Sequence, residues 1–295
     1  MATTIASAFS SYRTNLEITE RQESVVSTVR TNVVSALRAE ITLHAEESRL
    51  IGSYDRQTLT RYLKEGDVDI MVILNYGKHA DWYNSDGTVR CLDKFKSVLS
   101  AKYPATPMQR DRNCISMQLA EFRFDVVPAF KNDGGDYQIP DSVDKKWLWT
   151  NPFTFAEKVT ATNKSMGGYF VPLIKMVKGW NRGVGWPIRS FHLECMMVNR
   201  YATYAQAYSY DSMLKFWFDA LPTYLQGPTY DPVRNQRVDS YLDNGAVTSK
   251  RQVAISKATA AMRAADKAYG LQAADVPASI RNWQALLGEF FPSYG

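Results

Sequence analysis

The run DVDIMVIL over residues 67–74 sets two carboxylates at the head of a continuous apolar stretch rich in β-branched side chains. Such a stretch reads as a strand buried on both faces, so the chain must lay packed layers over both sides of it. Residues two apart on a strand share a face, and Asp67 and Asp69 therefore project together. A second run, FRFDVVPAF over 122–130, places Asp125 between Phe124 and Val126 and reads as another strand. If the two strands are neighbours in one sheet, three carboxylates converge.

The pattern around these strands is mixed. Thr19 and Gln22 form a T-x-x-Q capping pattern, and Val26, Val29, Val33, Leu37 and Ile41 follow at helical spacing, which predicts a long amphipathic helix over 20–46. His44 is then an ordinary helix residue. A turn at Asp86-Gly87 precedes a second helix carrying Val89, Leu92, Phe95, Val98 and Leu99, and CISMQL over 114–119 reads as a strand. Strands and helices thus alternate to about residue 130, giving an α/β or α+β lobe around a sheet. Residues 131–152 are rich in Gly, Asp and Pro and read as an irregular connection. Beyond Phe153 the period is helical, broken at 183–187 and 221–232. Asp231-Pro232 suggests a turn and a helix start, and Ser249 with Gln252 opens a helix that Gly270 closes. The expected division is 1–150 for a sheet-containing core and 151–295 for a helical lobe.

Composition narrows the chemistry by exclusion. The 295 residues, 45% of them hydrophobic, suffice for a sizeable core. A net charge of +5 is too mild to predict an extended nucleic-acid surface, though it suits small polyphosphates. Three cysteines, odd in number and far apart, and three histidines outside any ligand spacing argue against a disulfide scaffold or a zinc site. The amino terminus lacks a basic start followed by an apolar core, and no apolar run is long enough to span a bilayer, so the expectation is a soluble, cytoplasmic protein with no membrane partner.

Carboxylates brought together repel: two unit charges about 4 Å apart cost about 4 kcal/mol at an effective dielectric near 20. A cation or a proton must resolve the cluster. Oxygen ligands without His or Cys favour Mg²⁺ or Mn²⁺, and two such ions activate an attacking hydroxyl and neutralise departing pyrophosphate. A D-x-D at a strand end is by itself more often a solvated turn. Here Gly52-Ser53 precedes it by 13 residues, at a turn that leads into a helix. Gly permits close approach, and a Ser hydroxyl with turn N–H groups holds phosphate oxygens.

Read as G-S-x13-D-V-D and then F-D-V, these residues resemble the polymerase-β-like nucleotidyltransferase superfamily. FDVVPAF, YQIPD, WLWTNP, LIKMVKGWN and SFHLE further resemble the cGAS/DncV-like nucleotidyltransferases (CD-NTases), over roughly residues 48–240. The resemblance implies an α+β fold: a polymerase-β-like core with a mixed β-sheet, a long amino-terminal spine helix, and a carboxyl-terminal helical lobe closing a nucleotide cleft. It implies synthesis of a cyclic di- or trinucleotide second messenger from nucleoside triphosphates, ATP first with GTP, UTP or CTP as further candidates. Bacterial anti-phage (CBASS) signalling is the implied setting, with regulatory or effector proteins of a defence operon as partners.

Carried over by position, Gly52 and Ser53 would hold the triphosphate, Asp67, Asp69 and Asp125 two metal ions, and Asp125 would help deprotonate the acceptor hydroxyl. Lys178 and Ser190 match positions that contact donor phosphates. Lys175, Phe191 (base stacking) and Asn163 (base edge) are weaker candidates. Plainer readings stand beside these: Lys175 and Lys178 on a solvated helix face, Ser190 as a helix cap, Phe191 in the core, Trp149 and Trp180 as packing residues. The absence of a Cys/His zinc insertion argues against activation by long double-stranded DNA. Two other readings keep part of the pattern: an RNA-directed nucleotidyltransferase or linear oligoadenylate synthase, and a catalytically dead nucleotide-binding module, against which the complete carboxylate set argues.

Overall fold

The computed structural model describes residues 1–243 and 249–295. In chain order it comprises α1 (Ile5–Leu16), α2 (Glu20–Glu40), β1 (Leu43–Ile51), the single-turn α3 (Gly52–Asp55), β2 (Asp67–Leu74), the short α4 (Tyr76–His79), α5 (Gly87–Lys102), β3 (Met108–Arg110), β4 (Ile115–Gln118), β5 (Arg123–Lys131), β6 (Tyr137–Asp141) and β7 (Lys146–Thr150). Helices α6 (Pro152–Ser165), α7 (Phe170–Gly183), α8 (Ser190–Tyr201), α9 (Tyr210–Tyr224), α10 (Lys250–Gly270) and α11 (Val276–Leu287) follow. The fold is α+β. No helix among the described residues is long and apolar enough to cross a membrane.

Two compact units emerge: Ile18–Thr154, and Met1–Glu17 together with Phe155–Gly295. The expected boundary at 150/151 lies near the observed one, but α1 packs with the carboxyl-terminal helices rather than belonging to the sheet-containing unit. Phe9 of α1 stacks edge-on against Trp283 and Phe291, which explains that allegiance.

In the first unit a mixed sheet runs β1-β2-β5-β4-β3, with β6 pairing β5 and β7. The long α2 opens on the predicted capping box, Thr19 and Gln22 exchanging side-chain and backbone bonds at 2.9 and 3.2 Å. It ends at Glu40, not near residue 46, because the chain turns extended at Ile41 and Leu43 pairs with Leu74 in the sheet. His44 is accordingly a strand residue. On β2 and β5 the pleat sorts side chains: Val68, Ile70, Val72, Leu74, Phe124 and Val126 enter one core with Val33 and Leu37 of α2 and Leu92 and Phe95 of α5. Asp67, Asp69 and Asp125 therefore belong to the opposite face, as do Met71, Ile73 and Ala129 of the second cluster. Residues 131–152 hold the hairpin β6–β7 rather than an irregular connection; Trp149 on β7 is exposed instead of packed.

The second unit is helical. Ala254, Ala258, Ala261, Ala265 and Ala268 recur at three- and four-residue steps along α10 and are buried, a narrow stripe that lets neighbours approach closely. Ser249 caps α10 through the Gln252 N–H, as expected. No helix starts at Pro232: Asp231 Oδ1 instead accepts the Val233 N–H at 2.8 Å in a turn bridged by Tyr230 and Arg237.

Candidate active site

Parallel pairing of β2 with β5 puts Asp67 opposite Arg123 and Asp69 opposite Asp125. The three carboxylates each offer an oxygen within 4.8 Å of the others and are positioned to bind a metal ion. Burial, then the charges of Asp67 and Asp125, push the Asp69 carboxyl up to about 8, even though the residue keeps some exposure to solvent. Asp125 is also raised, by burial, against the opposing pull of Ser116 and Arg123. A bound cation would offset this cost and favour the ionised carboxylates.

Gly52 stands beside this cluster because β1 pairs Ile51 with Asp69, and the chain breaks into α3 one residue later. Its φ of +68° is the left-handed conformation that favours glycine, and a Cβ there would overlap Oδ2 of Asp69 and lie 3.1 Å from its Cγ. The Gly-Ser turn and the D-x-D strand, 13 residues apart in sequence, are therefore in contact. Ser53 anchors the turn with its carbonyl, which accepts the N–H groups of Thr58 at 2.9 Å and Leu59 at 3.0 Å.

Two neighbours were not singled out from the sequence. Arg123 Nη2 donates to Asp67 Oδ2 at 2.6 Å, and its Nε lies 3.2 Å from Asp125 Oδ1, an ion-pair contact without hydrogen-bond geometry. Ser116 on β4 donates to Asp125 Oδ1 at 2.6 Å. Period-two spacing from Asp125 could have found Arg123, whereas Ser116 required the β4–β5 register.

The remaining candidates lie in the helical unit. Lys175 and Lys178 do not line a solvated face: both are about 5% exposed or less, Lys175 paired with Glu17 and Lys178 with the fully buried Glu194 at 2.5 Å. Ser190 is the first residue of α8 and not its cap, a place held by Arg189 without a side-chain bond. Phe191 is 38% exposed, its ring 5.0 Å from that of Phe155, so it is not a core residue. Asn163 Oδ1 accepts the Val171 N–H at 3.0 Å, tying the end of α6 to the start of α7. Trp180 is buried as expected.

Comparison with known proteins gives this arrangement a context. Residues 3–163 match the family described as the Second Messenger Oligonucleotide or Dinucleotide Synthetase domain. A cyclic AMP-AMP-AMP synthase of an Acinetobacter strain is 30% identical over 189 residues, which cover 59% of this chain and only 53% of that enzyme. A probable cyclic nucleotide synthase of Bacillus cereus is 26% identical over 276 residues, 82% of this chain and 81% of that protein. Among solved structures, Vibrio cholerae DncV cyclic AMP-GMP synthase superposes with a TM-score of 0.74 at 12% identity, covering 99% of this chain and 98% of DncV. Escherichia coli CdnC, solved with ATP, gives 0.65 at 14% identity, over 98% and 99% of the two chains. These likenesses establish the fold. With the family match covering more than half of its length, the chain belongs to the Second Messenger Oligonucleotide or Dinucleotide Synthetase domain family, the cGAS/DncV-like nucleotidyltransferases that its motifs resemble.

Proposed function

We propose that this chain is a metal-dependent nucleotidyltransferase that condenses nucleoside triphosphates, ATP among them, into a cyclic di- or trinucleotide. The observation that carries the reading is the convergence of Asp67, Asp69 and Asp125 on one sheet face against Gly52. A set of hard oxygen donors fits Mg²⁺ or Mn²⁺. Two such ions, when bound, supply charge neutralisation for the leaving pyrophosphate and acidify the acceptor hydroxyl.

The chain's own residues do the rest. Asp67, Asp69 and Asp125 hold the ions. Gly52 and Ser53 take the donor triphosphate, since the missing Cβ leaves the backbone open beside Asp69. Asp125, as one of the ion-holding carboxylates, helps deprotonate the attacking hydroxyl. A phosphodiester bond forms at the donor α-phosphorus as its bond to pyrophosphate breaks, and a second such transfer within the linear product closes the ring. Lys178, which is paired with Glu194, and Ser190 are candidates for donor-phosphate contacts by the likeness of their motifs. Lys175, Phe191 and Asn163 are secondary: Lys175 is occupied by Glu17 and the Asn163 carbonyl oxygen by Val171, while Phe191 offers an accessible ring for a base. The family likeness extends the reading to cytoplasmic second-messenger synthesis in bacterial anti-phage defence, with effector proteins reading the product.

Incubating the protein with all four ribonucleoside triphosphates and Mg²⁺ or Mn²⁺ tests this. A phosphatase-resistant product supports cyclisation. Exclusively linear product, or extension of added tRNA, rejects it in favour of an RNA-directed or linear synthase.

A further inference from the structure

Antiparallel pairing of β4 with β5 sets Ser116 directly opposite Asp125, while the parallel β2 sets Asp69 opposite Asp125 on the other side. The three side chains form one row across the sheet, with Asp125 in the middle. Both Ser116 and Asp125 are buried, and the hydroxyl's one proton is committed to Oδ1 of Asp125 at 2.6 Å. The Cys114 thiol, 3.8 Å from Ser116 Oγ, lies within hydrogen-bonding reach of that oxygen. Arg123 reaches the same Oδ1 from its own strand while donating to Asp67. One oxygen of Asp125 is therefore spoken for, while Oδ2 makes no hydrogen bond or ion pair among the described residues.

Resting on the metal-site reading above, we propose that Ser116 is a positioning residue: its hydroxyl fixes the carboxylate of Asp125 so that Oδ2 serves as the metal ligand. It does not touch substrate. A carboxylate held on one oxygen loses rotational freedom before the ion arrives, and loss of such an outer partner typically costs about 10-fold to 100-fold in metal affinity. Ser116 borders a pocket of about 200 Å³ lined also by Pro107, Met108, Gln109, Gln118 and Arg123, and Ser116→Thr is the conservative variant that keeps the hydroxyl.

Mn²⁺ binding to the nucleotide-free full chain, followed by electron paramagnetic resonance or calorimetry, reads the effect without turnover. Ser116→Ala should weaken Mn²⁺ binding at least about tenfold, Ser116→Cys should weaken it as well, and Ser116→Thr should bind like the wild type, with similar thermal midpoints for all. Asp125→Asn serves as the reference for loss of the ligand itself. Wild-type Mn²⁺ binding by folded Ser116→Ala or Ser116→Cys, with binding impaired in Asp125→Asn, overturns the role of Ser116 and leaves the metal site standing. Unimpaired binding by Asp125→Asn overturns the metal site as well.

Discussion

Replacing Gly52 by alanine should damage the site in two ways that can be measured separately. At φ +68° a residue bearing a Cβ costs about 1–2 kcal/mol more than glycine. For a chain of this size that corresponds to a fall in thermal midpoint of roughly 2–3 °C. The new methyl overlaps Oδ2 of Asp69, and restoring van der Waals distance requires the carboxylate to withdraw by about 1 Å. A displacement of that order costs about 100-fold in rate when the group positions reacting atoms. Pyrophosphate release from ATP and Mg²⁺, alongside thermal denaturation, is the assay. Gly66→Ala is the matched control: it adjoins Asp67, but its φ is −107° and its Cβ would meet nothing closer than 3.6 Å, so turnover should be kept. Wild-type turnover in Gly52→Ala would refute the premise that the place of Asp69 matters to the chemistry.

Three further outcomes follow from the charges. Because the folded protein raises Asp69 from 3.8 to about 8, it holds a proton that the unfolded chain releases across that window. The stability of metal-free protein should thus decline as pH rises from about 4 to 8, and Mg²⁺ should raise the thermal midpoint more at pH 8 than at pH 6; a Mg²⁺ effect independent of pH would contradict this. His192 is held neutral by burial, its value lowered from 6.5 to about 4, so stability should be lost as pH falls through that interval, by up to roughly 3 kcal/mol. Urea denaturation of wild type and His192→Gln checks it, the variant showing the flatter acid profile. Glu194→Gln removes the counter-charge of buried Lys178 and should cost about 3–5 kcal/mol by urea denaturation, part of which the double variant Lys178→Met/Glu194→Leu should recover.

What the sequence made legible was local. The continuous apolar runs of β2 and β5 announced two buried strands, and the pleat, with its period of two, put Asp67 and Asp69 on one face. The parallel register that brings Asp69 opposite Asp125 is a long-range fact, and no residue between them encodes it. The hairpin β6–β7 was hidden by Pro140 and the preceding glycines; Pro140 is accommodated because β5 pairs β6 only at Tyr137 and Gln138, leaving no ladder donor missing there. Ile41 extended the apolar repeat of α2 past its true end, since burial against the sheet satisfies the same pattern. Exposed lysines are common on helices, so the buried pairs of Lys175 and Lys178 were out of reach until Glu17 and Glu194 were placed in space.

The metal-binding role of the three carboxylates is tested most directly by titrating Mg²⁺ against pyrophosphate release in wild type and Asp69→Asn. The amide keeps the size of the side chain but removes one ligand charge. Turnover that saturates with Mg²⁺ in the wild type and falls by at least about 1,000-fold in the folded variant is the predicted result. Equal turnover in the two proteins would contradict the account.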